Sequence, residues 1–190
     1  MAQTPNFPVL ETSRLILREI VPTDAGAIFA IHGDPDLMKW FGVDPLVNIE
    51  AAQKLIETFA SWRLLPTPGT RWGIQLKNGG PLIGSCGLFQ WNAMWRKCVV
   101  GYELARGAHG YGFATEALSA CFNWAFSTTQ LHRIEAQVHP ENYPSIKLLE
   151  KVGFVKEGML REVGYWGGKR HSMFQYGMLR GELCNIAASR

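Results

Sequence analysis

The stretch best equipped for chemistry runs from Cys98 to Phe126, CVVGYELARGAHGYGFATEALSACFNWAF. A short apolar run (Val99, Val100, Tyr102, Leu104) leads into glycines at Gly107, Gly110 and Gly112, and Ala114, Ala117, Leu118, Cys121 and Ala125 follow at helical spacing. The pattern predicts a strand, a glycine loop and a helix. Gly110 and Gly112 are free to take positive φ and carry no Cβ, so backbone N–H groups that no intrahelical carbonyl satisfies can face outward at the helix start. Such a start attracts anions, phosphates among them. A tight connection whose glycines serve geometry alone would leave the same pattern, so the loop by itself does not decide.

Few other clusters compete with it. Between Asp34 and Val47 lie Asp34, Asp36, Asp44, Trp40 and Phe41, which could form an acceptor-binding lip whose carboxylates draw in an ammonium group; as turn, capping and core residues they would look the same. Cys86, Cys98, Cys121 and Cys184 sit in apolar or mixed settings, with no CxxC pair and no histidine at metal-ligand spacing, and are expected to be reduced, packed and free of metal.

The elements that must position these groups follow from the whole chain. With 190 residues, 47% of them hydrophobic, it suits one domain over residues 1–190 with a substantial core. The net charge of +3 is the balance of 19 basic and 16 acidic residues scattered without a block of like charge, which does not suggest nucleic-acid binding. The N-terminus lacks a signal-peptide pattern, and no apolar run is long enough to span a bilayer, so a cytoplasmic protein with no membrane partner is expected.

Leu15 to Ile20 reads as a first strand, and Pro22-Thr23-Asp24 caps a helix through Ile28, Phe29 and Ile31 that ends at Gly33. Asn48 caps a second helix, Ile49 to about Leu64, with Ala51, Leu55, Phe59 and Trp62 as its apolar face and Pro66 and Pro68 as its stop. A meander comes next: Trp72, Ile74 and Leu76 alternate, Asn78-Gly79 turns, Leu82 to Gln90 returns, and Lys97 to Leu104 is the third strand. After the central helix, His132 to Val138 alternates as a strand. Asn142 then caps a helix that buries Ile146, Leu149 and Val152 and ends at Gly153. Two strands with a glycine turn at Gly167-Gly168 close the chain.

The loop wording His109-Gly110-Tyr111-Gly112-Phe113-Ala114, followed by Thr115-Glu116-Ala117-Leu118, closely resembles the pyrophosphate-binding loop of the GNAT superfamily of acyl-CoA N-acyltransferases. The family pattern is Gln or Arg, two residues, Gly, one residue, then Gly or Ala. Gly112 and Ala114 fill its last positions, and His109 stands where Gln or Arg is usual. Thr12-Ser13-Arg14-Leu15 with Asp24-Ala25 and Trp40-Phe41-Gly42 resembles the opening of the RimJ/RimL-type branch, the ribosomal-protein N-terminal acetyltransferases. Glu141-Asn142-x-x-Ser145 with Leu148-x-Glu150-Lys151-x-Gly153-Phe154 resembles the family's second cofactor motif.

The resemblance implies an α+β GNAT fold, a mixed, mostly antiparallel sheet of about seven strands with helices on both faces. It implies acetyl-CoA as co-substrate, contacted by Leu104, Arg106, His109, Gly110, Tyr111, Gly112, Phe113, Ala114, Thr115, Asn142 and Ser145. Many relatives carry a tyrosine at the position of Leu149 to protonate the departing thiolate; here the acid role passes to Ser145. Glu103 matches a position often used to deprotonate the amine, directly or through water. A protein or peptide N-terminal α-amine is the expected acceptor, with a polyamine, an amino acid or an antibiotic amine as alternatives, and relatives often form homodimers. A non-catalytic acyl-CoA-binding domain is a further reading. A nicotinamide fingerprint fails at Thr115, where its third glycine would stand, and a meander precedes the loop instead of βαβ repeats.

Overall fold

The computed structural model describes residues 7–65 and 69–187. Its strands are β1 (Leu10–Glu11), β2 (Leu15–Glu19), β3 (Thr70–Leu76), β4 (Leu82–Asn92), β5 (Lys97–Leu104), β6 (Arg133–Val138), β7 (Val155–Trp166) and β8 (Lys169–Leu179). They form one sheet in the order β1-β2-β3-β4-β5-β6-β8-β7. Every neighbouring pair is antiparallel except β5 and β6. That arrangement is the α+β class expected, and it is not a doubly wound parallel sheet. The eighth strand is β1, whose two residues are too short for any periodicity to reveal.

The helices are α1 (Ala25–His32), α2 (Pro35–Met38), α3 (Ile49–Ser61), α4 (Phe113–Thr128), α5 (Tyr143–Lys151) and α6 (Arg180–Ala187). Asn48 accepts from the Ala51 amide and caps α3, as its position suggested. The helix stops at Ser61, and Trp62–Leu64 continues as a 3-10 turn; Pro66 and Pro68 lie outside the described residues. Its buried stripe is Ala52, Ile56 and Phe59, so Ala51 and Leu55 flank the core-facing line instead of forming it.

Two apolar clusters hold the layers. On one face of the sheet Leu15, Leu17, Trp72, Ile74 and Leu88 pack against Leu118, Cys121, Phe122 and Ala125 of α4 and Leu149 of α5. On the other, Ile20 and Leu82 meet Ile28 of α1 and Ile56 and Phe59 of α3. Strands covered on both sides lose the inside-outside alternation that a half-solvated sheet would show. Cys86, Cys98 and Cys121 are free thiols buried between sheet and helix, whereas the side chain of Cys184 lies outside the described set. No helix of the described residues is long and apolar enough to cross a membrane.

Candidate active site

β5 and β6 pair only over Lys97–Val99 and Arg133–Glu135, although β5 continues to Leu104 and β6 to Val138. Beyond Val99 the two strands part and expose main-chain N–H and C=O groups that have no ladder partner across the gap. A cavity of about 1120 Å³ opens there, bounded by Tyr102, Glu103 and Leu104 on one strand and by Ala136, Gln137 and Val138 on the other.

The start of α4 stands at one end of this cavity. Gly112 is the N-cap, with φ +79°, and Gly110 has φ +83°. No side chain caps the helix, and the first main-chain bond of the turn runs from the Glu116 amide to the Gly112 carbonyl. The amides of Phe113, Ala114 and Thr115 therefore remain for a ligand, at the positive end of a 16-residue helix. Gly110, Gly112, Phe113, Ala114 and Thr115 all border the cavity.

This loop is braced from the far side of the chain. Glu116 accepts from the Thr12 hydroxyl (2.5 Å), the Ser13 hydroxyl (2.9 Å), the Arg14 amide (2.9 Å) and Arg14 Nε (2.7 Å). Arg14 Nη1 also donates to the Tyr111 carbonyl at 3.0 Å, and its guanidinium lies over the Phe113 ring. Burial alone would raise the Glu116 carboxyl, but these donors outweigh it and hold the group at about 2. His109 Nε2 donates to the Leu104 carbonyl at 3.0 Å and ties the loop to the end of β5.

Successive residues of β5 point to opposite faces of the sheet. Tyr102 faces α5, where its hydroxyl lies 2.7 Å from Ser145 Oγ. Asn142 caps α5 by accepting from the Ser145 amide at 3.3 Å, and Asn142, Ser145 and Tyr102 all line the cavity. Leu149, 1% exposed, is part of the core and has no proton to give.

Glu103 faces the other way and is buried. Its Oε2 accepts from Arg71 Nη2, and its Oε1 from Ser85 Oγ and, at 3.2 Å, from His32 Nε2. Arg71 in turn donates through Nε to Ser85 Oγ at 2.8 Å. The guanidinium reaches this position across Gly87 and Gly101, a cross-strand pair on β4 and β5. A Cβ at Gly87 would sit 2.8 Å from Arg71 Cδ, and one at Gly101 3.3 Å from Arg71 Nη1. Burial pushes the Glu103 carboxyl up; the adjacent Arg71 charge, with the His32 and Ser85 hydrogen bonds, more than offsets that and brings it to about 2. Glu103, expected to deprotonate the amine directly or through water, is thus held by Arg71, Ser85 and His32. A carboxylate that weakly basic, with both oxygens occupied, is a poor proton acceptor as it stands in this network.

Of the two readings of the acidic stretch, the aspartates follow the turn and capping one. Asp34 Oδ1 caps α2, and Asp34 together with Asp36 grips Arg106 at 2.7 to 2.8 Å. Asp44 accepts from the Gly167 amide at 2.8 Å. Arg106, expected to touch the cofactor, thus spends its guanidinium on two aspartates, and the exposed Tyr111 ring stacks on Phe113 outside the cavity. What the lip does contribute is aromatic surface. Trp40 and Phe41 line the cavity with Phe59, Trp62, Phe89 and Trp166. The residues that sequence reasoning missed are His32, Arg71, Ser85 and Tyr102. Only the arginine beside Trp72 in an apolar strand carried a signal, because a charge there requires a partner.

Comparison with known proteins agrees with this geometry. Residues 14–155 match the family described as acetyltransferase (GNAT) domain. The chain is 37% identical over 174 residues to the uncharacterized N-acetyltransferase YoaA of Bacillus subtilis (strain 168), covering 92% of this chain and 98% of that protein. It is 25% identical over 177 residues to the spermidine N(1)-acetyltransferase of Vibrio cholerae, covering 91% and 97% respectively. Among solved structures it is similar to Mycobacterium smegmatis RimJ in complex with CoA-disulfide, with a TM-score of 0.82 and 25% identity over 96% of this chain and 94% of that one.

Proposed function

Because the chain belongs to the GNAT family and is an acetyl-CoA-dependent N-acetyltransferase, we propose that it acts in the RimJ/RimL manner, on an α-amine at the N-terminus of a protein or peptide whose first residue is apolar. The observation that carries the reading is one cavity lined by the amide cradle, by Ser145 and by a set of aromatic side chains. In this reading the amides of Phe113, Ala114 and Thr115 bind the pyrophosphate of acetyl-CoA. The open edges of β5 and β6 accept its amide-bearing arm, as an unpaired strand edge accepts an extended peptide.

The thioester then lies between two chemically different faces. Toward α5 are Tyr102 and Ser145, suited to the leaving sulfur; toward α1 and α3 is the aromatic pocket, suited to the acceptor. Ser145 Oγ–H gives the proton to the thiolate, and a weak acid suffices because a thiol pKa is only about 8.5. No strong base is required, since an α-amine titrates near about 8 and is partly neutral at physiological pH. Glu103 serves instead as the fixed negative partner of Arg71 under the acceptor pocket.

A polyamine fits this pocket poorly. Asp44 and Glu103, the carboxylates that line the cavity, each already have a partner, so an extended polycation set among Trp40, Phe41, Phe59 and Trp166 would find aromatic faces but no free carboxylate to answer its charges. Peptides beginning with Leu or Phe are expected to give kcat/KM at least about tenfold above spermidine or a peptide beginning with Asp, the discrimination that a shaped apolar pocket provides. Thiol release from acetyl-CoA with this panel decides it; spermidine as the best acceptor would overturn the reading.

The state of Glu103 supplies a second test. Because its carboxyl titrates at about 2, it is ionised throughout the working range. The Glu103→Gln variant is therefore expected to keep the alkaline-rising limb of kcat/KM at the wild-type pH, whatever happens to its height. A limb moved to higher pH would restore Glu103 as the proton acceptor.

A further inference from the structure

The Tyr102–Ser145 contact satisfies a largely buried phenol but is not what fixes either residue in place. Ser145 is already fixed through its backbone by Asn142, and the ring of Tyr102 packs against the core whether or not it carries a hydroxyl. The hydroxyl nonetheless spans the gap from β5 to α5, 43 positions along the chain, and meets Oγ at 2.7 Å on the wall of the cavity. A serine hydroxyl has one proton and rotates freely, so an isolated serine offers that proton in several directions. A donor fixed at Oγ removes that freedom.

We propose that Tyr102 is a positioning residue for thiol release: its phenol donates to Ser145 Oγ and leaves the serine proton directed at the sulfur of the thioester. This inference rests on the acid role assigned to Ser145 above. As the amine nitrogen bonds to the carbonyl carbon and the C–S bond breaks, the electron pair of that bond stays on sulfur. The Ser145 Oγ–H proton moves to sulfur, and the Tyr102 proton moves onto Oγ. The proton that the nitrogen loses on becoming an amide returns to the phenolate through solvent, so the enzyme ends unchanged and the products are the amide and free coenzyme A. Burial raises the phenol above its ordinary range and so keeps its proton in place between turnovers. The position where many relatives carry a tyrosine is Leu149, so the phenol here reaches the cleft from a strand instead of from the helix.

The test is a double-mutant cycle on full-length protein: wild type, Tyr102→Phe, Ser145→Ala and the double variant. Thiol release from acetyl-CoA is followed with the fastest amine of the acceptor panel, or with water as acceptor where none turns over. Ser145→Ala is expected to lower kcat by about 10²-fold and Tyr102→Phe by about tenfold, at the lower end of general-acid effects. The KM for acetyl-CoA and the thermal shift it induces stay at wild-type values, which a merely structural loss would not preserve. The double variant is expected to be no slower than Ser145→Ala, since residues acting as one unit are not additive. A wild-type rate in Tyr102→Phe beside a slow Ser145→Ala overturns the role of Tyr102 alone. Multiplying defects in the double variant do the same. A wild-type rate in Ser145→Ala overturns the acid role of Ser145 and the role of Tyr102 with it.

Discussion

Gly112→Val is expected to abolish acetyl-CoA binding in a protein that still folds. The position has φ +79°, a region that β-branched residues rarely occupy, and the substitution costs roughly 1–3 kcal/mol in backbone strain. The protein itself has room for the new atoms. A Cβ at Gly112 would have Arg14 Nη2 at 3.6 Å as its nearest neighbour, an ordinary contact. What the valine methyls would cover is the approach to the Phe113, Ala114 and Thr115 amides, the donors that an incoming pyrophosphate needs. At about 100 times its dissociation constant, acetyl-CoA should stabilise the wild type by about 2.7 kcal/mol. Thermal unfolding of the variant should show a cooperative transition that acetyl-CoA does not move. A cooperative transition that still shifts upward would place the pyrophosphate elsewhere.

Which parts of this site were legible in the sequence follows from how far apart the contributing residues lie. The helix start at Gly112, the cap at Asn142 and the turn at Asn78-Gly79 are each written within a few adjacent residues, and local steric rules decode them. Two motifs that read as separate turned out to be one device. Thr12-Ser13-Arg14 and the Glu116 of the glycine loop are about a hundred positions apart in sequence and joined by four hydrogen bonds in the fold.

The Glu103 network was not legible, for a physical reason. His32, Arg71 and Ser85 come from α1, β3 and β4, as much as 71 positions from Glu103, and only strand pairing together with the packing of α1 on the sheet brings them together. Alternation could not mark Glu103 as buried, because the face it shares with Val99 and Gly101 borders the cavity and a polar residue there reads as solvent-facing. The same ambiguity affected the aspartates of the lip. Their composition suggested a cation site, while Arg106, beyond the reach of any local pattern, had already taken two of them. Local chemistry thus disclosed the helix start with its cradle of amides, and tertiary packing determined the network around Glu103.

Arg71→Met is expected to destabilise the protein by about 3–5 kcal/mol at pH 7, the cost of leaving one member of a buried ion pair without the other. Methionine keeps an apolar stem over Gly87 and Gly101 but supplies no charge, so Glu103 would remain in a site where only Ser85 and His32 donate to it. The pH dependence should also change sign. In the wild type the folded Glu103 pKa of about 2 lies below its ordinary 4.5, so its contribution to stability is complete above about 4.5 and is lost as pH falls toward 2. Without Arg71 the burial that opposes ionisation goes unanswered, the folded pKa rises above 4.5, and acidification relieves the variant instead of weakening it. Urea unfolding of both proteins between pH 7 and pH 4 should therefore show the gap narrowing as the pH is lowered. Replacing both partners, Arg71→Met with Glu103→Leu, removes the stranded charge and should recover most of the lost stability, because apolar substitutes for a buried pair are often neutral or better. A single variant that loses less than about 1 kcal/mol, or a gap that widens on acidification, would mean that Arg71 is not what keeps Glu103 ionised, and the acceptor pocket would then rest on a neutral acid instead of a fixed charge.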